Sequence, residues 1–133
     1  MLERLEVLEN NIAKLKEYKS TITFQDLEND KFNEWSLRYG LFESIQIIID
    51  ISCHLVNRYN LGNPKSYGEC IVLLKQSHYI NQSLHDKLIQ IIGPKNILIH
   101  EYIAIDMKKL YDFLDLIDDF GIFVQQIQEY IQQ

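Results

Sequence analysis

A lysine, an asparagine, a histidine and a tyrosine lie close together in the stretch Lys95-Asn96-Ile97-Leu98-Ile99-His100-Glu101-Tyr102. Histidine titrates near neutral pH, so His100 is a candidate general acid or base. The ammonium of Lys95 is a candidate clamp for a phosphate and for the charge that develops on it. Residue chemistry alone therefore suggests a phosphodiester-cleaving pair, although a single histidine beside apolar residues is more often structural.

Gly93-Pro94 indicates that a helix begins afresh, or continues with a sharp kink, just before these residues, because proline is tolerated at the first helical position. Lys95 and Asn96 would then lie in the first turn, where free backbone N–H groups and the helix dipole favour an anion. Asn96 and His100 are four residues apart and share one helix face. The sequence predicts a polar cluster on an apolar support.

Length and composition predict one all-α domain that spans residues 1–133. The chain has 133 residues, of which 47% are hydrophobic and 24% charged, and only five Gly and two Pro, too few for a turn-rich β protein. The net charge of −6 argues against a protein whose whole surface binds nucleic acid. It leaves room for a small local site, especially one that two subunits assemble.

Apolar spacing predicts a bundle of five helices with short connections. Gly62 suits the C-terminal cap of the second helix, and residues 24–30 are typical of a connection with one helical turn. The predicted helices cover residues 2–19, 31–59, 66–76, a stretch from Asn81 or Ser83 to about 92, and 106–131 with Asp106 as its cap.

The second helix is apolar on nearly every side, which is typical of a central helix or of one at a subunit interface. Its polar residues follow at spacings of three and four and form one narrow stripe: Glu43, Gln46, Asp50, His54 and Asn57. Such a stripe could line a cleft, with Asp50, Glu43 and His54 as groove-lining candidates. A row that faces solvent, or a satisfied buried network, is the alternative.

The sequence predicts neither a metal site nor a cofactor. Cys53 and Cys70 are interpreted as isolated thiols without metal-ligand spacing, and the acidic residues between 26 and 30 as a solvated rim. The start of the chain does not have the pattern of a signal peptide, and the apolar run that ends at Asp50 is too short to span a membrane. We therefore expect a cytoplasmic protein that makes no membrane contact.

With these residues in view, the chain resembles the HepT-like branch of the HEPN superfamily, the toxin half of HEPN–MNT toxin–antitoxin pairs. That branch commonly has Arg-Asn, three apolar residues and then His-x-Tyr. The stretch from Lys95 to Tyr102 matches at every position except the first. Arg38, the turn around Gly62 and Asp106 follow the same order, so the resemblance covers nearly the whole chain from about residue 35.

The resemblance implies a five-helix HEPN-type bundle that forms a homodimer, with the two motifs facing one groove. It implies a metal-independent ribonuclease acting on cellular RNA, tRNA or mRNA, with His100 as acid or base, Asn96 beside it and Lys95 in the place of the arginine. It further implies that an MNT-type nucleotidyltransferase antitoxin neutralises the toxin by attaching AMP to Tyr102. Adenylate there would crowd the groove and add negative charge where RNA phosphate must bind.

Two residues depart from the family pattern. Lysine gives a point charge where arginine gives a planar bidentate fork, and Pro94 replaces a residue that is more often aromatic or apolar. A non-catalytic HEPN module that binds nucleotide or RNA and serves a partner nucleotidyltransferase is the alternative function. A structural helical dimer with a vestigial motif is a third reading.

Overall fold

The computed structural model describes residues 1–92 and 106–131, and this part of the chain is helical without strands. Seven α-helices and one short 3₁₀ helix follow one another along these residues. They are α1 Leu2–Thr21, α2 Phe24–Asn29, α3 Lys31–Arg58, α4 Tyr67–Gln76, α5 Gln82–Ile92, α6 Met107–Asp112, the 3₁₀ helix Phe113–Leu116 and α7 Ile117–Ile131.

The first helix follows the predicted amphipathic pattern. Its buried residues recur at spacings of three and four, namely Leu5, Leu8, Ile12 and Leu15. The helix ends at Thr21, two residues beyond the predicted end. It packs on α3 and α7. The apolar stripe of α1 therefore closes one side of the core.

The connection before α3 is more regular than the sequence suggested, because residues 24–29 form a complete short helix. Thr23 accepts a hydrogen bond from the Asp26 backbone and Asp26 accepts one from the Thr23 backbone, which is a capping box. Asp30 accepts a hydrogen bond from the Phe32 backbone and caps α3. Two of the acidic side chains interpreted as a solvated rim are thus helix caps.

Helix α3 is the centre of the bundle, as predicted, and it packs against α1, α2, α4 and α7. Its 28 residues bury apolar side chains on several faces, including Leu37, Leu41, Ile48 and Leu55. By length and composition alone α3 could cross a membrane, but 56% of its most apolar window is buried inside the domain. That degree of burial is typical of the core helix of a soluble protein.

The turn after α3 corrects the predicted cap. Asn60, not Gly62, takes the left-handed conformation with φ 54°, and the Leu61 N–H bonds back to the Val56 carbonyl as in a Schellman motif. Asparagine tolerates this conformation better than most residues do. Gly62 matters for a different reason, since a Cβ there would lie 2.7 Å from a methyl group of Leu73, which would have to move.

The two cysteines are not isolated thiols. Cys53 on α3 and Cys70 on α4 form a disulfide, with their Cα atoms 5.2 Å apart. Sequence spacing missed the pair because the turn that brings α4 back onto α3 makes them neighbours across a separation of 17 residues. The cytoplasmic location expected from the sequence stays a prediction.

The N-terminal caps of α4 and α6 are the predicted residues, and α5 is capped by Asn81, one of its two predicted starts. Ser66, Asn81 and Asp106 each accept a hydrogen bond from a backbone N–H of the first turn.

The predicted final helix over 106–131 is instead interrupted by the 3₁₀ helix. Apolar residues there, including Phe113 and Leu114, cover more than one face, and the tighter 3₁₀ winding changes the direction in which they point. Leu114 and Ile117 are both buried across this interruption.

We predict that reducing the disulfide destabilises the fold. A cross-link that closes a loop of this length is expected to contribute about 3 kcal/mol, mainly by restricting the unfolded chain. Dithiothreitol should therefore lower the melting temperature measured by circular dichroism. The Cys53→Ser/Cys70→Ser double variant is the control and should melt at one temperature with or without reductant. Equal melting of the reduced and oxidised native chain would contradict the prediction.

Candidate functional site

The four residues of the predicted site, Lys95, Asn96, His100 and Tyr102, lie outside the described residues. The structure therefore leaves their predicted roles untested. It does describe the helices that lead into and out of this segment, and the polar stripe of α3 that the sequence singled out.

Both flanks of the segment are anchored in the core. Helix α5 reaches Ile92 with Leu88 and Ile91 buried, and it packs on α4 and α7. After the segment, Asp106 caps α6, whose Leu110 is buried and which packs on α2. The residues that carry the predicted chemistry are thus joined at each end to a packed helix, which is the support that a positioned site needs.

The polar stripe of α3 lies along an open groove of about 450 Å³ between α1 and α3. Glu43, Gln46 and Asp50 are in its wall, together with Glu3, Arg4, Val7, Tyr39, Phe42 and Ile47. The stripe is therefore accessible rather than a fully buried network. Its far end, Asn57, is exposed to solvent.

Two of the three carboxyl groups in this groove, those of Glu43 and Asp50, are held by hydrogen bonds. Asn11 Nδ2 donates to Glu43 Oε1 at 2.8 Å, and Gln46 Nε2 donates to Asp50 Oδ1 at 2.8 Å. The bonds from Asn11 and from the Tyr39 hydroxyl lower the pKa of Glu43 below its ordinary value. Glu43 is consequently ionised at neutral pH, and a phosphate in the same groove would meet this negative charge as well as the positive charge of Arg4.

His54 follows Asp50 by one turn of α3 and is partly buried. Its pKa is lowered by desolvation, and further by the positive charges of the N-terminal amine, Arg4 and Arg58. His54 is therefore mostly neutral at physiological pH, among cations. That Asp50, Glu43 and His54 line an RNA-binding groove stays a prediction.

The sequence patterns did not indicate that two ionisable residues of α3 are buried: Glu34 was not singled out, and Arg38 was named only as part of the family order. Glu34 and Arg38 are 5% and 9% exposed, and Lys31 Nζ lies 2.7 Å from Glu34 Oε2. The available signal was an acidic and a basic residue four apart in an otherwise apolar helix, since such pairs share one face. Buried charges are costly unless they are compensated, so these residues constrain how α3 can pack.

The part of the chain that the structure describes contains no group of three or more His, Cys, Asp or Glu that could hold a metal ion.

The segment between α5 and α6 lies within a match to a known protein family. A family model described as "Ribonuclease HepT-like" matches residues 8–127. Among curated proteins, the chain is 27% identical over 113 residues to the mRNA nuclease HepT of Shewanella oneidensis, a match that covers 84% of this chain and 78% of the relative.

Solved structures with the same architecture include a tri-AMPylated Shewanella oneidensis HEPN toxin in complex with MNT antitoxin. The TM-score is 0.85 at 22% identity, over 96% of each chain. YutE, a cytosolic protein of unknown function from Bacillus subtilis, matches with a TM-score of 0.84 at 19% identity, over 98% of this chain and 87% of its own. At such identities the likeness shows a shared fold.

Proposed function

This chain belongs to the HepT-like family, and on that premise we propose that it is a metal-independent endoribonuclease and the toxin of a HEPN–MNT toxin–antitoxin pair. Family membership and the all-α HEPN bundle, both predicted from the sequence, are confirmed. The observation that carries the proposal is the family match over residues 8–127, because it includes the whole stretch from Lys95 to Tyr102.

In the proposed reaction His100 takes the proton of a ribose 2′-hydroxyl while water protonates the leaving 5′-oxygen, or it protonates the 5′-oxygen while water accepts the 2′-hydroxyl proton. The 2′-oxygen attacks the adjacent phosphorus while the bond from phosphorus to the 5′-oxygen breaks. The products are a 2′,3′-cyclic phosphate and a 5′-hydroxyl, and water then opens the cyclic phosphate. A histidine and a fixed cation provide proton transfer and charge stabilisation, so the proposed mechanism needs no metal ion.

Lys95 is assigned to the phosphate. Its ammonium offsets the charge that builds up on the non-bridging oxygens in the transition state. Asn96, next in the chain, offers an amide N–H₂ that can donate to the same oxygens. A lysine positions a phosphate less strictly than the family arginine does, since it lacks the planar fork, and a lower rate than that of an arginine-bearing relative is expected.

The proposed substrate is cellular RNA, either tRNA or mRNA. The curated relative is named an mRNA nuclease, which favours mRNA. The acidic composition of the chain requires that binding be confined to a local basic site. A homodimer that brings two copies of Lys95 to one groove would meet this requirement.

The proposed partner is an MNT-type nucleotidyltransferase. Support comes from the related HEPN toxin, which is AMPylated and lies in complex with MNT antitoxin. Tyr102 is the proposed acceptor in this chain because it is the tyrosine of His-x-Tyr, two residues after His100. An attached adenylate would add bulk and negative charge beside the histidine and so exclude an RNA phosphate.

A second function is favoured by one observation, the lysine in place of the family arginine. In this alternative Lys95 and His100 bind a nucleotide or RNA, and the partner nucleotidyltransferase performs the chemistry. The two functions differ in whether the purified chain cleaves RNA by itself.

We predict that the purified chain cleaves RNA in the presence of EDTA and that His100→Ala abolishes the cleavage. Loss of a general acid or base is expected to slow the reaction by about 10²–10⁴-fold. Cleavage is measured on a labelled RNA by gel electrophoresis.

His78→Asn is the matched control for a histidine outside the motif. His78 has φ 66°, a conformation that asparagine tolerates, so this variant should fold and cleave like the native chain. Undiminished cleavage by His100→Ala would remove the catalytic assignment. A native chain that binds RNA without cutting it would favour the second function.

We also predict that co-expression with the partner nucleotidyltransferase attaches AMP to Tyr102 and suppresses RNA cleavage. Intact-mass spectrometry should show added AMP on the native chain and none on Tyr102→Phe. Tyr59→Phe removes a tyrosine that is 53% exposed but lies outside the motif, and it should be modified like the native chain. Modification that survives Tyr102→Phe would place the acceptor elsewhere.

A further inference from the structure

A second cleft of about 450 Å³ lies between the α4–α5 turn and the C-terminal half of α7. We call it the tyrosine cleft, because aromatic rings and one carboxyl group make up much of its wall. The lining residues include His78, Tyr79, Asn81, Gln126, Glu129 and Tyr130. None of these six has a part in the proposed cleavage of RNA, so the cleft requires an explanation of its own.

The turn after α4 forms one side of the tyrosine cleft. The Tyr79 N–H donates to the Leu74 carbonyl and the His78 N–H donates to the Lys75 carbonyl, which is a Schellman motif. His78 takes the left-handed position of this motif, with φ 66°, where glycine or asparagine is usual. The turn thereby directs Tyr79 inward, so that it is 5% exposed, and places His78 in the cleft wall.

Three tyrosines from different parts of the chain meet at this end of the bundle. The rings of Tyr79 and Tyr130 are stacked with their centroids 3.6 Å apart, and the centroid of Tyr59 lies 6.4 Å from that of Tyr79. Tyr79 covers one face of Tyr130, whose side chain remains 37% exposed in the cleft wall. The open part of the Tyr130 ring is thus held in place from behind, and the face of such a ring attracts cations.

The side chains of the wall carry negative charge. Burial, followed by the hydrogen bond to Tyr130, raises the pKa of Tyr79, so this phenol stays neutral at physiological pH. Glu129 contributes a carboxylate, to which Gln125 Nε2 donates at 3.4 Å. The described part of the wall includes no lysine or arginine. With histidine neutral at pH 7, the charge of the wall is therefore that of Glu129.

Helix ends add to this negative charge. Tyr59 directly follows the last residue of α3, His78 lies two residues beyond the end of α4, and Tyr130 is the penultimate residue of α7. The C-terminal end of a helix carries partial negative charge and favours cations. Helix α5 begins here with the opposite polarity, and Asn81 caps it. Three C-terminal ends against one N-terminus leave the balance negative.

The chain already places one cation on a tyrosine at this end of the bundle. The guanidinium of Arg58, the last residue of α3, lies over the ring of Tyr59 at 5.8 Å from its centroid. This contact shows which kind of group the local combination of tyrosine rings and helix C-termini attracts.

The combination of ring and carboxylate suits a guanidinium better than an ammonium. A guanidinium is planar, so it can stack on the face of a tyrosine while two of its N–H groups donate to one carboxylate. Glu129 and Tyr130 are consecutive on α7 and both line the cleft. The Gln126 side chain, one turn earlier, is fixed because its Oε1 accepts from the Asn81 backbone at 2.9 Å. The wall thus offers a ring for stacking and an acceptor for the edge of the same group.

A guanine base presents a similar pair of N–H donors, but its phosphate argues against nucleic acid as the occupant. A phosphate next to the base would meet the Glu129 carboxylate and the negative helix ends. Nucleic acid sites that stack bases on aromatic rings are normally set in a positively charged groove. Charge complementarity therefore favours a protein.

We propose that the tyrosine cleft binds an arginine side chain presented by a partner protein, with the guanidinium stacked on Tyr130 and donating to Glu129. The cleft lies where α5 begins, and about 15 Å of helix separate Gln82 from Ile92, after which the segment with His100 follows. The inference does not rest on the nuclease function, because it concerns binding by residues that the cleavage of RNA does not use.

A titration followed by ¹H–¹⁵N NMR tests the proposal on the full chain. The probe is the peptide acetyl-Gly-Arg-Gly-amide, and the matched control peptide carries citrulline, the neutral analogue of arginine with nearly the same shape. The arginine peptide should give saturable shifts of the backbone amides in residues 78–81 and 126–130. The citrulline peptide should bind at least about tenfold more weakly, because it lacks the charge that strengthens hydrogen bonds to a carboxylate.

Variants of the wall test the two assigned contacts. Glu129→Gln should weaken binding of the arginine peptide by at least about tenfold. Tyr130→Leu should weaken it by about threefold, whereas Tyr130→Phe, which keeps the ring, should bind like the native chain. Both residues are exposed, so these variants should keep the circular dichroism spectrum of the native chain.

Glu28→Gln is the matched control for the change in net charge. Glu28 is exposed on α2, near the start of α3, and about 40 Å of α3 lie between that end and Tyr59. This variant should bind the arginine peptide like the native chain. Equal weakening by Glu28→Gln and Glu129→Gln would show a response to net charge alone and would overturn the proposal.

Other outcomes also decide against the cleft as an arginine site. They are the absence of saturable shifts, shifts confined to residues outside the cleft, and equal binding of the citrulline peptide or of a peptide with lysine in place of arginine. Tighter binding of guanosine 5′-monophosphate than of the arginine peptide would identify a base-binding cleft instead. The titration contains no RNA, so its result stands whether or not the chain is a nuclease.

Discussion

The packing of α3 against α1, α2, α4 and α7 is the interaction on which the other parts of the structure depend. Each fully buried leucine or isoleucine of α3 contributes about 1.5–3 kcal/mol of transfer free energy, and several lie on each side of the helix. The disulfide from Cys53 to Cys70 fixes the C-terminal half of α3 to α4. Because so much of α3 is committed to the core, the residues that it leaves exposed stand out as candidates for interaction.

The exposed face of α3 divides along its length into two parts with different chemistry. The N-terminal part exposes the aromatic side chains of Phe32, Trp35 and Tyr39. The part after it carries Glu43, Asp50 and His54, and its fixed carboxylates disfavour phosphate. Neither part offers a basic surface for RNA, so the proposed chemistry depends on the segment with Lys95 and His100.

Local sequence patterns, namely the spacing of apolar residues and the helix-capping residues, predicted much of the fold. Apolar spacing gave the buried face of α1 and the central position of α3, and Ser66, Asn81 and Asp106 cap helices where the sequence indicated. Features that depend on tertiary packing were missed. The disulfide forms only because α4 folds back on α3, and the close approach of Gly62 is to Leu73, eleven positions further along the chain.

The candidate catalytic site was predicted from the resemblance of its residue types and spacing to a family motif, and not from helix packing. Asn96, His100 and Tyr102 matched the family pattern, Lys95 departed from it, and the family match bears out the resemblance. Their roles are a matter of geometry and protonation, which no sequence pattern fixes. Arg38 and Glu34 show the same limit, because their burial follows from how α3 packs and not from their identity.

The central claim is that this chain cleaves RNA by activating a ribose 2′-hydroxyl. The most direct test compares two RNA oligonucleotides of one sequence, one with free 2′-hydroxyls and one 2′-O-methylated throughout, both in EDTA. Our account predicts that the unmodified RNA is cut to fragments ending in a 2′,3′-cyclic phosphate or its opened form, and that the methylated RNA stays intact. Cleavage of both, or fragments that carry a 5′-phosphate, would contradict the account.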